Sequence, residues 1–285
     1  ALAALLGNEG RAASKKPEQS PHFTPKAKRV IFLFMHGGPS HMDTFDYKPQ
    51  LQKDSGKPLP FDKPQVFSAE TGNLLGSPWK FKQHGESGAW VSELFPHVAG
   101  CVDDLCIINS MYGSNSRHGG ALLELHTGSD TFVRPSMGSW ITYGLGSENQ
   151  DLPGFITVCP TLTHGGVNAY SSSFLPADFQ GTPTGNASIP ADRALIPFIK
   201  NESGIPMSVQ RKELDYLQQM NREHLAESGP DAALEGRINS FELAYRMQTA
   251  APELQDISDE SEATQKEYGL DQDVTKNFGR QCLMA

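Results

Sequence analysis

Several patterns that would assign a chain to a class at once are missing from this sequence. It contains no stretch of about 20 apolar residues, so no membrane-spanning helix is predicted. Lysine and arginine number 24 against 33 aspartates and glutamates, and no basic stripe is present, which argues against nucleic acid as a partner. It also lacks G-x-G-x-x-G and P-loop strings, which excludes the common dinucleotide and nucleotide-phosphate motifs.

Cysteine is scarce, and its spacing does not fit a zinc site. We predict free, buried thiols, with a disulfide as the alternative if the protein is exported. The four cysteines are Cys101, Cys106, Cys159 and Cys282. Export is suggested by the first residues, ALAALLGNEGRAAS, which resemble the end of a signal peptide, although an ordinary helix end is the alternative. We therefore expect residues 1–25 to be a signal-peptide remnant and linker.

The pattern that is present is typical of an α/β protein. Residues 30–35 are continuously apolar and rich in branched and aromatic side chains, which predicts a strand buried on both faces of a parallel sheet. Residues 105–111 and 152–160 predict two further strands. Helical patterns occur at 121–128, 136–146 and 207–250, the last with a break at 229–233. This order predicts a parallel or mixed sheet flanked by helices.

Two histidine-rich stretches follow predicted strand ends. One is HGGPSHMDTFD at 36–46, and the other is NSRHGGALLELHTG at 115–128. Because ligands bind outside the carboxyl ends of strands in open α/β sheets, the two stretches are expected to converge. Imidazole and carboxylate are typical ligands of zinc, manganese or iron, and such a metal can polarise a phosphoryl or sulfuryl oxygen. His97 and His164, in contrast, are predicted to serve packing or to face solvent.

Simpler interpretations of the first stretch stay open. Asp43 could cap a helix, and Gly37 and Gly38 could serve only a tight turn. Ser40 invites comparison with the nucleophile of serine esterases, whose oxyanion loop also contains HGG. The string HGGPSHMD departs from G-x-S-x-G, however, so a serine esterase is only an alternative.

Four segments together carry a resemblance to a known family. They are VIFLFMHGGPSHMDTFDYKP, NSRHGGALLELHTG, RPSMGSWITYGLGSENQDLPGFITV and FLPADFQG. They resemble the bacterial sulfatase-like family catalogued as domain of unknown function 1501, which is placed in the alkaline phosphatase-like superfamily. The resemblance runs from about residue 20 to the end of the chain. It implies an alkaline phosphatase-like sheet flanked by helices, and export to the periplasm or the extracellular space, often through a twin-arginine signal.

The resemblance also implies roles for individual residues. Counted back from Thr127 and Gly128, the second stretch is similar to the sulfatase motif C/S-x-P-S-R-A-A-L-L-T-G, which puts His118 at the nucleophile position. Leu122 occupies the position of the motif arginine, which argues against formylglycine chemistry. Ser114 and Ser116 are then substitute nucleophiles, or His118 is a metal ligand, or catalysis has been lost.

We therefore predict that residues 26–285 are the N-terminal, incomplete portion of an alkaline phosphatase- or sulfatase-like domain. The expected function is metal-dependent hydrolysis of sulfate or phosphate esters, of small molecules or polysaccharides, with zinc, calcium or manganese as cofactor. His36 and Asp43 are the predicted metal ligands, and Ser116 and His118 the predicted catalytic residues. The remaining ligands are expected beyond Ala285. A non-catalytic exported binding protein on the same scaffold is the second alternative, and the oligomeric state is not predicted.

Overall fold

A computed structural model describes residues 26–64, 70–194, 196, 199, 204–229 and 231–285. The chain forms two compact units. One is Phe32–Tyr112, and the other is Gly113–Ala285 together with residues 26–31. Within the described ranges, no helix combines the length and the apolar character that crossing a membrane requires. The predicted signal-peptide remnant and linker at 1–25 lie outside the described residues.

The unit Phe32–Tyr112 is built around one antiparallel hairpin. Its elements are a 3₁₀ helix at His41–Asp43, α1 (Pro49–Lys53), β1 (Phe81–His84), β2 (Ala89–Ser92) and a 3₁₀ helix at Val98–Asp104. Val91 of β2 packs with Ala99 and Val102 in a buried cluster. The carboxylate of Asp103 accepts hydrogen bonds from the backbone N–H groups of Glu86 and Ser87, both at 2.9 Å, and so fixes the hairpin turn. These bonds lower the pKa of Asp103.

The second unit contains most of the helices. Its regular elements are α2 (His118–Thr127), α3 (Met137–Leu145), β3 (Ile156–Val158), β4 (Thr182–Thr184), α4 (Met207–Ser228), α5 (Ala232–Gln255), α6 (Glu262–Glu267) and α7 (Lys276–Met284). β3 and β4 pair in parallel, with Thr157 opposite Pro183. A 3₁₀ helix at Gly166–Tyr170 packs against α2.

The helices predicted from the sequence are present, because their end signals are local. α2 ends at Gly128, whose φ of 75° is a left-handed conformation that suits glycine. The side chain of Ser136 accepts a hydrogen bond from the backbone N–H of Ser139 at the start of α3. α3 ends at Gly146, and the predicted break after α4 occurs at Gly229.

Polar contacts join the two longest helices, α4 and α5. The guanidinium of Arg211 donates two hydrogen bonds to the carboxylate of Glu242, at 2.9 and 2.8 Å. The amide nitrogen of the buried Gln218 donates to the backbone carbonyl of Ile238 at 2.8 Å. Asp231 caps the start of α5 by accepting hydrogen bonds from the N–H groups of Ala233 and Leu234. Such two-pronged arginine–carboxylate pairing adds geometric specificity to the contact between the helices.

The Arg211–Glu242 pair is expected to stabilise the protein at neutral pH and to lose this effect in acid. The Arg211 guanidinium lowers the pKa of Glu242 below its ordinary value of 4.5. Stability from this depressed pKa is therefore complete above the unfolded value and is lost as the pH falls through the folded one. In a double-mutant cycle of Arg211→Met and Glu242→Gln, we expect a coupling free energy of about 0.5–1 kcal/mol at neutral pH, measured by urea unfolding. If the coupling free energy does not decrease as the pH is lowered, the ion pair between Arg211 and Glu242 is not the source of this stability.

Two predicted strands are not formed. Residues 30–35 and 105–111 have no strand structure, and their apolar side chains are largely exposed, with Val30 at 62% and Ile108 at 61%. The apolar pattern marks a segment suited to burial, but a strand also requires a neighbouring strand to pair with. The sequence of a segment does not say which strand that is.

The third predicted strand is formed in part, as β3, within the predicted range 152–160. Its partner β4 lies in a stretch rich in glycine, serine and threonine, for which no strand was predicted. The described residues thus contain helices with two small two-stranded sheets. The alkaline phosphatase-like sheet stays a prediction.

The predicted thiols are free, but not all are buried. None of the four cysteines, all of which lie in described parts of the chain, forms a disulfide. Cys159 is buried, and burial raises the pKa of its thiol. Cys101 and Cys106 are exposed, contrary to the prediction. The 3₁₀ helix Val98–Asp104 turns only Ala99 and Val102 into the core, which leaves Cys101 outside, and Cys106 lies in the exposed segment that follows this helix.

Candidate functional site

Hydrogen bonds of Asn115 hold the loop in front of α2. Its amide oxygen accepts a hydrogen bond from the backbone N–H of Arg117 at 2.8 Å, and its amide nitrogen donates to Asp130 at 3.1 Å. The hydroxyl of Ser114 donates to a carboxylate oxygen of Glu124 at 2.9 Å, so this serine is tied to α2. Ser116 is exposed in the same loop. The loop therefore presents Ser116 beside His118, the first residue of α2.

His118 does not stand alone at this position, because His164 lies against it. Their ring centroids are 5.5 Å apart, with the ring planes inclined at 48°. His164 precedes the 3₁₀ helix Gly166–Tyr170 that packs on α2, and its Nδ1 is 3.1 Å from the hydroxyl of Thr163. The backbone of His164 has a φ of 52°, in the left-handed region that non-glycine residues uncommonly occupy. Such conformations cluster at functional sites.

The separation of the two rings fits two imidazoles on one metal ion. Zinc lies about 2.0–2.1 Å from a ligating imidazole nitrogen, in roughly tetrahedral arrangement. A metal held this way places the two ring centroids about 5 Å apart, close to the 5.5 Å between His118 and His164. The centroid separation is thus compatible with two ligands on one ion, and ring nitrogens that face a common point, together with further ligands, would be needed to complete a site.

His126 belongs to a different environment at the other end of α2. It lies two turns from His118, which is about 12 Å along the helix axis. Its side chain lines a cavity of about 540 Å³ with Met137, Trp140 and Ile141 of α3. Burial lowers the pKa of His126, which favours the neutral form of its imidazole.

In the other unit, His36 and Asp43 lie on either side of a tight turn. Gly37 and Gly38 have φ values of 100° and 70°, so the turn interpretation of these glycines is confirmed. Asp43 ends a 3₁₀ helix, and hydrogen bonds from the hydroxyls of Ser77 and Ser40 lower the pKa of its carboxylate. Asp43 therefore stabilises its own loop, and it does not cap the start of a helix.

The predicted site residues are divided between the two units. Ser116 and His118 lie in the unit that includes Gly113–Ala285, whereas His36 and Asp43 lie in Phe32–Tyr112. Across the described ranges, no group of three or more histidine, cysteine, aspartate or glutamate side chains could hold a metal ion. A site shared by His36, Asp43 and His118 stays a prediction.

Sequence reasoning assigned His164 to packing or solvent, although the structure places it beside His118. A signal was available in the triplet His-Gly-Gly. It occurs at His36, His118 and His164. At His164, the two glycines that follow have φ values of 105° and 50° and form the turn that carries the imidazole. Attention to this repeated triplet would have added His164 to the candidate histidines His36 and His118.

Comparison with known proteins identifies the family of the chain. Its sequence matches the family described as protein of unknown function (DUF1501) over residues 27–285, which is most of its length. No curated protein and no solved structure matches it. The match covers both units, including the turn at His36 and the paired imidazoles of His118 and His164. The chain therefore belongs to the DUF1501 family.

Proposed function

We propose that the protein hydrolyses phosphate or sulfate esters and that His118 and His164 contribute two imidazole ligands to a divalent metal ion. The observation that carries this proposal is the pairing of the two rings at 5.5 Å beside the exposed Ser116. When bound, such a metal polarises a phosphoryl or sulfuryl oxygen and lowers the pKa of a bound water. Zinc, manganese and calcium are the candidate ions.

The position of the pair at the start of α2 supports an anionic substrate. The first turn of a helix presents backbone N–H groups without partners within the helix, and the helix dipole adds partial positive charge there. α2 has ten residues, His118–Thr127, and carries no acidic residue in its first turn. Ester oxygens of phosphate or sulfate would be favoured next to this end.

Within this proposal, Ser116 is the candidate nucleophile, because its side chain is exposed in the loop immediately before His118. Ser114 is less suited, since its hydroxyl is already bonded to Glu124. His36 and Asp43 remain proposed as further metal ligands. The resemblance to the alkaline phosphatase-like superfamily supports a metal-dependent, exported protein, which would act in the periplasm or outside the cell.

The proposal is tested by metal analysis together with an ester panel. The full-length protein is purified without chelator, and its zinc, manganese and calcium contents are measured by mass spectrometry. Aryl phosphates, aryl sulfates and sulfated or phosphorylated sugars are then assayed before and after EDTA treatment and after return of each metal. We expect turnover of at least one ester, its loss with EDTA and its return with one metal. Absence of metal and of turnover across the panel would contradict the proposal.

A non-catalytic exported binding protein is the second candidate. It is favoured by one observation, that the described residues contain no cluster of three or more metal-ligating side chains. Metal content separates the two candidates, because a binding protein need not hold an ion. A serine esterase is less supported. Ser40 bonds with Asp43, and the described residues before it form no strand, whereas a nucleophile elbow joins a strand to a helix.

A further inference from the structure

We propose that the unit Phe32–Tyr112 binds one neutral pyranose ring in a cavity beside the β1–β2 hairpin. The cavity encloses about 230 Å³ and lies between the segment that carries Asp46 and Tyr47, the start of β2 and the segment that carries Asn109. This inference goes beyond the proposed ester hydrolysis and does not depend on it, because all of the residues involved belong to this one unit.

Aromatic rings form one wall of the cavity. The rings of Tyr47 and Trp90 lie with their centroids 4.6 Å apart and their planes inclined at 40°. Tyr47 also stacks on Phe81 with a centroid separation of 5.0 Å, which holds the tyrosine ring in place. Trp90 is 39% exposed, so part of its large apolar surface faces the opening. Such a wall suits a flat, apolar face, such as the C–H face of a sugar ring.

Polar groups that can bind hydroxyls lie on the same cavity. The carboxylate of Asp46 lines it although the residue is only 9% exposed, and Asn109 adds a side-chain amide. The ammonium group of Lys48 forms an ion pair with one oxygen of this carboxylate at 2.8 Å, and the imidazole of His41 lies 4.0 Å from the same oxygen. An ionised carboxylate offers about four acceptor sites, so it can also accept hydrogen bonds from ligand hydroxyls. The amide of Asn109 can both donate and accept.

The charge balance and the size of the cavity select the ligand class. The negative charge of Asp46 is already balanced by the positive charge of Lys48. A cationic ligand would therefore find no unpaired negative charge in the cavity, and an anionic ligand would find no unpaired positive charge. Sites for drug-sized molecules enclose about 300–1,000 Å³, whereas this cavity holds about 230 Å³, which suits a single ring. A neutral pyranose has one apolar face and a rim of hydroxyls, which matches both walls.

The experiment measures sugar binding to the full chain by tryptophan fluorescence and by saturation-transfer NMR. The probes are the methyl glycosides of glucose, galactose, mannose and xylose, with tetramethylammonium and inorganic phosphate as charged probes. We expect at least one glycoside to bind and neither charged probe to compete with it. Trp90→Ala should weaken that binding about tenfold or more, as should Asp46→Asn, with circular dichroism confirming that each variant is folded.

The matched control is Trp79→Ala. Trp79 belongs to the same unit and is 43% exposed, close to the value for Trp90, but it does not line the cavity. Binding should be unchanged in this variant. If Trp90→Ala fails to fold, Asn109→Ala replaces it, since Asn109 is exposed, and a severalfold loss is expected. The proposal is overturned if no glycoside binds, if the folded variants bind as the unmodified protein does, or if only a charged probe binds.

Discussion

Replacing His118 by alanine is expected to bring the metal content of the full-length protein to background and to lower ester hydrolysis about 100-fold or more. The change removes one of two imidazoles whose rings lie 5.5 Å apart, and a catalytic site that needs three or four protein ligands is then one ligand short. Loss of a residue that only supports a ligand costs about 10–100-fold, so loss of a ligand itself should cost at least as much. Metal content by mass spectrometry and rates on the ester panel measure the effect.

His164→Ala should give the same result, because the proposal assigns both rings to one ion. The control is His97→Ala. His97 is an exposed residue at the start of the 3₁₀ helix Val98–Asp104, and the proposal gives it no ligand role. Its replacement should leave metal and rates unchanged. Unchanged metal and rates in His118→Ala would remove His118 from the site. If metal content and hydrolysis are lost in His118→Ala but not in His164→Ala, the two histidines do not share one ion. The assignment of His118 alone as a ligand would then remain.

The helical part of the fold could be predicted because its signals lie within a few residues of each other. Gly128 ends α2 by adopting a positive φ, and Ser136 begins α3 by accepting a backbone hydrogen bond three residues on. The long helices α4 and α5 could be predicted from the helical spacing of their apolar residues and from the break at Gly229. None of these signals depends on which other part of the chain is nearby.

Strands could not be predicted in the same way, because a strand depends on its partner. Residues 30–35 have the stronger apolar pattern, yet they form no strand, whereas Ile156–Val158 pairs with Thr182–Thr184. The partner strand contains a proline and lies in a polar, glycine-rich stretch. Its strand character comes from the ladder that it completes, and its own side chains do not encode it.

Of the two paired histidines of the candidate site, only one was predicted from the sequence. His118 was singled out because it lies in a histidine-rich stretch after a predicted strand and because the family resemblance puts it at the nucleophile position. His164 was missed because its meeting with His118 depends on the packing of the 3₁₀ helix Gly166–Tyr170 against α2. A contact between segments distant in the sequence has no local pattern, and only the repeated His-Gly-Gly triplet pointed to it.

Replacing Gly138 by alanine is expected to destabilise the protein by about 1–3 kcal/mol, the usual cost of forcing extra atoms into a packed site. A Cβ at Gly138 would lie 2.5 Å from the ring of Phe155, the residue that precedes β3. Gly181 lies close to the other edge of the ring, where a Cβ built on it would come to 2.8 Å, so the ring has little room to retreat. The backbone carbonyl of Phe155 accepts a hydrogen bond from Thr182 at 3.0 Å. α3 and the β3–β4 pair therefore meet at this ring.

Gly144→Ala is the matched control, because it makes the same change in the same helix. A Cβ at Gly144 would meet no atom within 4 Å, so only the helix propensity changes. Alanine is favoured over glycine by about 0.8–1 kcal/mol in a helix interior, so this variant should be as stable as the unmodified protein or slightly more stable. In urea unfolding, the midpoint should therefore fall for Gly138→Ala and stay unchanged or rise slightly for Gly144→Ala. Equal shifts of the urea midpoint in the two variants would show that the Phe155 ring moves aside for a methyl group. The close approach of α3 to β3 would then not explain why residue 138 is glycine.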